Sequence, residues 1–328
     1  ILVVIFTLSL NESKANTLFD SLNSAYLNNP KLNAERANMR ASREEKREAV
    51  SEFLPSVTIS GYVSDQDNTG SGVSNFKPSE QSMVVEQKIF QGGYGIANFG
   101  KKKYGQTLGE FKLKKMEQEI LLAAAKAHTE FLLNRKKVNI NLVNVELLER
   151  QVETDQNRLE KGEINLTDLA QSESSLAGAR AKLISAQNDL VTSRANFEKA
   201  IGKKPNKNIQ ETNDLNLNLP DSLASAYSLS NKENPDLQIA LLEYKQAEQD
   251  VVIAGSDLYP SASLSYKITE QDDISSTVQE KTQQTVTATA KWPLFAGGSN
   301  FFNLRKAQEL RNQKKLLYED YEKKIEMD

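Results

Sequence analysis

The sequence is poor in residues that do covalent chemistry. It has no cysteine and a single histidine, His128. That excludes disulfides, thiolate metal sites and cysteine nucleophiles. One imidazole without further ligands is not a metal centre, so His128 reads as a residue of a helix surface or seam. Gln91-Gly92-Gly93-Tyr94-Gly95 precedes a helical stretch and invites comparison with a phosphate loop. It lacks the Gly-x-x-x-x-Gly-Lys-Ser/Thr spacing, and its counterpart at Gly297-Gly298 lacks the third glycine. Both read as strand-to-helix turns. Lys101-Lys102-Lys103 reads as a solvated helix face, with lipid head groups or a solute as the minor reading. The mixed run from Arg43 to Glu48 reads as a salt-bridged face. The net charge of −3 leaves no basic footprint for nucleic acid. No catalytic group, cofactor site or metal ligand set is assigned, and the expectation is a protein that is not an enzyme.

The informative residues are those that repeat. Asn29-Pro30 recurs as Asn234-Pro235, Leu54-Pro55-Ser56 as Tyr259-Pro260-Ser261, and Phe90-Gln91-Gly92-Gly93 as Phe295-Ala296-Gly297-Gly298. All share one offset of roughly 205 residues, too long for a solenoid unit. Upstream, Asp20-Ser21-Leu22 matches Asp221-Ser222-Leu223. The chain therefore reads as one large module in tandem: a first repeat over 16–202, a linker over 203–220 and a second repeat over 221–328. Asp328 corresponds to Ala123 of the first copy, so the second copy is expected to be cut inside its long helix. The apolar run Ile1 to Leu10, followed by Ser13-Lys14-Ala15, reads as part of a secretory signal over 1–15. A buried N-terminal strand is the other reading.

Each copy shows the same order of signals. A short helix (17–28, 221–232) leads to Asn-Pro. A charged helix begins at the proline, which suits a first helical turn, and ends at the next proline. Then the period changes to two. Val57, Ile59 and Val63 alternate with Ser56, Thr58 and Ser60; Leu264, Tyr266 and Ile268 with Ser263, Ser265 and Lys267; Val286, Ala288 and Trp292 with Thr285, Thr287 and Lys291. A weaker fourth run has Met83, Val85 and Ile89. Alternation means one apolar and one polar face, and runs of about 9–11 residues match a tilted membrane strand. A soluble sheet packed on one side alternates in the same way. The polar stretches Asp65 to Ser79 and Glu270 to Gln283 read as loops, which makes two hairpins. Trp292 and Tyr266 fit an interfacial aromatic girdle.

After Gly93 the chain turns helical for about 60 residues, an extent of about 90 Å. Phe131, Val138, Val145, Val152 and Leu159 recur at heptad spacing, as do Leu169, Leu176, Leu183, Leu190 and Phe197. Beside the second row runs a row of small residues, Ser172, Ala179, Ala186, Ser193 and Ala200. Such rows mark a coiled-coil seam, and Lys161-Gly162-Glu163 reads as the turn of an antiparallel hairpin. Hydrophobic residues make up 38 % of the chain against the roughly 45–50 % usual for a compact domain, which suits long thin helices.

Four strands cannot close a barrel, and open edges in lipid leave backbone groups unpaired. Strands in a membrane must therefore be pooled between copies. Two copies give eight strands, three give twelve, and spacing does not choose between them.

Taken together, the Asn-Pro-x-Leu repeat, the proline ending the next helix and Phe-x-Gly-Gly before a long helix resemble the TolC-like outer-membrane efflux family. So does the hairpin turn Arg158-Leu159-Glu160-Lys161-Gly162-Glu163-Ile164-Asn165-Leu166-Thr167-Asp168-Leu169. The resemblance covers residues 17 to 328. It implies an α+β membrane protein, with long antiparallel α-helical coiled-coil hairpins joined to transmembrane β-hairpins, four strands per chain, and a barrel completed by trimerisation. It implies the outer membrane as location, with the helices in the periplasm. It implies an exit duct of a tripartite efflux or type I secretion system, working with a periplasmic adaptor and an inner-membrane pump. The adaptor-docking tip is then Arg158, Gly162, Glu163, Asn165, Thr167 and Asp168. Lipid meets Val57, Ile59, Val85, Leu264, Tyr266, Ile268, Val286, Ala288 and Trp292. Gly92, Gly93, Gly297 and Gly298 form the strand-to-helix turns. A periplasmic adaptor of the same systems and a soluble coiled-coil scaffold are the alternatives.

Overall fold

The computed structural model describes residues 17–67, 69–70, 75, 77–206, 209, 220–275 and 278–327. The signal-like segment 1–15 and most of the linker 203–220 lie outside them. In chain order the elements are α1 (Leu18–Asn28), α2 (Pro30–Glu48), a 3-10 turn (Ala49–Phe53), β1 (Ser56–Val63), β2 (Ser79–Gln91), α3 (Tyr94–Glu160), α4 (Leu166–Ile201), α5 (Leu223–Glu233), α6 (Pro235–Ser256), β3 (Ser261–Ser275), β4 (Val278–Lys291) and α7 (Ser299–Met327). The chain forms two compact units, Ile1–Arg36 with Leu113–Leu219, and Ala37–Lys112 with Pro220–Asp328.

The repeated motifs do the same local work in both copies. Asn29 Oδ1 accepts from the Lys31 and Leu32 amides at 2.9 and 3.3 Å, and Asn234 Oδ1 from those of Asp236 and Leu237 at the same distances. Each asparagine ends one helix and caps the next, and the proline after it sits where no amide donor is needed. Pro55 and Pro260 stand immediately before β1 and β3. The Gly-Gly pairs have matching positive φ, 60° and 90° at Gly92 and Gly93, 64° and 81° at Gly297 and Gly298. At Gly92 a side chain is excluded twice over, because a Cβ there would lie 2.5 Å from the Ser256 carbonyl oxygen.

In the second unit the strands make one antiparallel sheet in the order β1-β2-β3-β4. The two hairpins are joined by a long β2–β3 ladder, from Ser79 opposite Asp272 to Gln91 opposite Ser261. A bulge between Lys88 and Phe90 shifts that ladder. It accounts for the weak alternation at Ile89, since a bulge breaks the period of two.

Two expectations need correction. The stretch Glu270 to Gln283, read as a loop, is mostly strand: Glu270 pairs with Thr282, Gln271 with Lys281 and Asp272 with Glu280. Ile274 and Val278 aside, its residues are polar on both faces, so no alternation marked it, and backbone pairing carries the ladder. Trp292, assigned to the face of a strand, lies one residue past β4. Pro293 follows it, and proline has no amide to extend a ladder.

Helical packing in the same unit explains three glycines and the lysine run. A Cβ on Gly100 would meet Gln249 at 2.9 Å, on Gly105 Gln246 at 3.0 Å, and on Gly109 Ser42 at 2.6 Å. The start of α3 is thus held close to α6 and α2. Lys101 pairs with Asp250 at 2.6 Å and Lys102 with Glu45 at 2.8 Å. These lysines brace α3 against both neighbours and are more than a solvated face. The Arg43 to Glu48 run carries the expected internal pair, Arg47 to Glu44 at 2.8 Å.

In the first unit α3 and α4 form the hairpin. Phe131, Val145, Leu169, Leu176 and Phe197 are buried, while Val138, Val152, Leu159, Leu183 and Leu190 are half-buried. The small row lines the same seam: Ala179, Ala186 and Ser193 are buried. His128 is fully buried beside Phe197, with ring centroids 6.1 Å apart. Ser21 Oγ lies 3.1 Å from Thr17 O and shares a buried hydrogen bond with His128 Nδ1 at 2.9 Å.

Candidate conduit wall and hairpin tip

The sheet register converts alternation into rows. Val57 stands opposite Val85, Val85 opposite Tyr266, and Tyr266 opposite Val286. Ile59, Met83 and Ile268 form the next row, and Leu264 stands opposite Ala288. The eight strand residues singled out from the sequence therefore share one face. It is bare: Val57 is 62 % exposed, Ile59 79 % and Val286 68 %. The ninth, Trp292, is held by its indole Nε1–H, which donates to Leu258 O at 3.1 Å.

The opposite face is mostly hydrophilic, with Val84 an apolar exception between Thr58 and Lys267. Ser60 and Ser82 hydroxyls meet at 2.9 Å. Lys267 Nζ lies 3.4 Å from Glu80, which also accepts from Gln271 at 2.8 Å. One sheet thus offers an oily surface and a wet one, the combination a wall between lipid and water requires. Among the described residues no helix is long and apolar enough to cross a membrane.

The hairpin tip follows from capping chemistry. Gly162 has φ 73°, its amide donates to Leu159 O at 2.9 Å, and the Glu163 amide donates to Arg158 O at 2.9 Å. These two bonds close α3 in a Schellman motif, which glycine satisfies without strain. Asn165 caps α4. Its side chain accepts from the Asp168 amide at 3.0 Å, and the Asp168 carboxylate accepts from the Asn165 amide at 3.2 Å. Asp168 is the returning half of a capping box, and Thr167 takes no part in the cap. All six predicted tip residues are exposed. Arg158 and Glu163 face each other at 3.4 Å.

Asp155, below the tip, was not singled out. It is buried in the seam, accepts from Ser172 Oγ at 2.5 Å and Gln151 Nε2 at 2.9 Å, and lies 3.8 Å from Arg158. The Ser172 hydrogen bond, with help from Gln151 and Arg158, holds its carboxyl below the usual range. The signal was present in the sequence. Asp155 stands on the heptad row of Leu148, and Ser172 on the small row that faces it.

The profile of a family described as outer membrane efflux protein matches residues 21–203 and 226–325. The chain is 25 % identical over 308 residues to the outer membrane efflux protein BepC of Brucella suis biovar 1 (strain 1330). That match covers 92 % of this chain and 65 % of the Brucella protein, so the chain spans under two thirds of that relative's length. Among solved structures, CusC superimposes with a TM-score of 0.82 at 17 % identity, over 95 % of this chain and 73 % of that one. The Campylobacter jejuni CmeC outer membrane channel gives 0.79 at 15 %, over 93 % and 67 %. The open state of the Neisseria gonorrhoeae MtrE outer membrane channel gives 0.78 at 16 %, over 94 % and 70 %.

Proposed function

The chain belongs to the outer membrane efflux protein family, and from that premise we propose that it is one protomer of a trimeric exit duct of a tripartite efflux or type I secretion system. Its place is the outer membrane, with the helical part in the periplasm. One observation carries the reading: a four-stranded antiparallel sheet with one apolar face and two outer strands, β1 and β4, that lack a second neighbour among the described residues. In lipid each unpaired backbone group costs several kcal/mol. Three copies of the sheet close into a twelve-stranded barrel with the apolar rows outward and the Ser/Thr/Lys rows lining a wet bore. Val57, Ile59, Val85, Leu264, Tyr266, Ile268, Val286 and Ala288 then meet lipid, and Trp292 sits at the boundary.

The helices support the same reading. Beside the seam with α4, α3 carries a second heptad row, Leu133, Ile140 and Leu147, exposed by 53, 66 and 59 %. On α4, Ile184 and Val191 are exposed by 60 and 69 %. Exposed apolar residues at heptad spacing suit lateral packing against further helices, as in a helical tube continuing the bore. A lone soluble scaffold has no use for them.

The experiment is a mass measurement on the full-length protein in detergent, followed by planar-bilayer recording. The expected result is a trimer that conducts; a stable folded monomer in a bilayer overturns the duct. Docking of a periplasmic adaptor, and through it an inner-membrane pump, is assigned to the tip at Arg158, Gly162, Glu163, Asn165, Thr167 and Asp168. Arg158→Glu alone sets two carboxylates against each other there. Arg158→Glu with Glu163→Arg restores the internal pair in reversed polarity. If the tip docks, the double variant keeps its thermal stability yet loses adaptor crosslinking and export. If it exports normally, the tip is a turn and nothing more.

A further inference from the structure

A cleft of ≈ 630 Å³ opens where strands meet helices in the second unit, and no site assigned above uses it. Its size falls in the range of small-molecule sites, roughly 300–1,000 Å³. Lys88 stands opposite Ser263 and Lys291 opposite Ser261, so both lysines leave the sheet from its hydrophilic face. The cleft therefore opens on the side assigned to the bore.

Its charges are arranged unequally. Lys88 is neutralised by Glu52 at 2.9 Å. Lys291 and Asp257 enter no ion pair among the described residues. Asp257 is the C-cap of α6, where the helix dipole adds to its attraction for a cation. Both free charges sit on anchored backbone. Asn300 Nδ2 donates to Asp257 O at 2.9 Å, and the Trp292 indole beside Lys291 is tied to Leu258 O. Tyr94 and Tyr259 supply an aromatic wall. A carboxylate and an ammonium carried on anchored backbone, with two tyrosines lining the same cleft, recognise a molecule with the opposite charges on a flat apolar body.

We propose that this cleft is a solute site on the export path for small amphipathic zwitterions. The ligand's ammonium lies at Asp257, its carboxylate or other anionic group at Lys291, and its ring against Tyr94 and Tyr259. The proposal rests on the duct reading for the cleft's position facing the bore, and its test is separable from that reading.

Full-length protein in detergent is titrated calorimetrically with 4-(aminomethyl)benzoate, with benzylamine and benzoate as single-charge controls. The zwitterion is expected to bind best. Lys291→Gln should weaken it about fivefold, the scale of one exposed ion pair, and should weaken benzoate to the same degree while sparing benzylamine. Asp257→Asn should do the reverse. Equal binding of all three probes, or indifference to both substitutions, overturns the site. So does loss of the oligomer in either variant with unchanged binding, which would make the cleft a contact between copies. The duct reading fails separately, by absence of bilayer conductance, whatever the titration gives.

Discussion

At the scale of single residues the faces of the sheet make opposite demands. Leu264 lies in the apolar rows, while Ser265, its neighbour in sequence, lies opposite Glu86 on the hydrophilic side. If the apolar rows meet hydrocarbon, Leu264→Arg costs about 2–4 kcal/mol near mid-bilayer. Ser265→Arg leaves stability intact and changes conductance. Reversible unfolding from lipid vesicles measures the first and single-channel recording the second; equal destabilisation by both means a core packed on two sides. These faces were legible in the sequence because strand geometry forces a period of two on any half-buried strand. Trp292 was misplaced because periodicity does not say where a ladder stops. The chemistry of Pro293 does, and the two signals had to be read together. The meeting of Lys291 and Asp257 in one cleft was not legible at all. Those residues are far apart in sequence, and only the register of β3 with β4 brings their elements together.

At the scale of elements the α3–α4 hairpin depends on polar staples as well as its seam. An apolar heptad row sets which faces meet, but a uniform row leaves the helices free to slide by a turn. Asp155 with Ser172 is a directional contact that exists in one register only, which is how buried polar groups confer specificity on coiled coils. The folded carboxyl is held below the ordinary aspartate value. Its contribution is therefore complete above that value and disappears as pH falls through the lower, folded-state value. Thermal melts followed by helical circular dichroism should show wild type losing its margin over Asp155→Asn as pH drops from 5 to below about 4. A margin constant from neutral to acid pH would mean that Asp155 acts by shape and not by charge. The heptads, the Gly162 turn and the Asn-Pro caps could all be read in advance, since each depends on residues close in sequence. The ladder through Glu270 to Gln283 could not. Ile274 and Val278 aside, it is polar on both sides and held by main-chain bonds, which side-chain pattern does not report.

At the scale of the whole molecule the question is what lies beside β1 and β4. Within one chain they are separated by β2 and β3, a spacing of about 14 Å at 4.7–4.9 Å per strand. A disulfide bridges Cα atoms only up to about 7 Å, so cysteines on β1 and β4 cannot join within one sheet. These 328 residues hold no cysteine, so none of them competes with the introduced pair. Thr58→Cys on β1 is combined in turn with Thr285→Cys, Thr287→Cys and Thr289→Cys on β4, all on the hydrophilic face, because barrel closure shifts the register by an amount the open sheet does not reveal. If β4 of each copy pairs with β1 of the next, one combination oxidises to a covalent ring of three, and linked dimers appear only as intermediates on the way. Closure is what separates a barrel from an edge-to-edge aggregate, since an open stack of sheets gives a ladder that continues past three. A product that stops at two means an eight-stranded barrel with its bore filled by side chains. Such a bore would end the duct reading even though every strand, cap and turn described above remained in place.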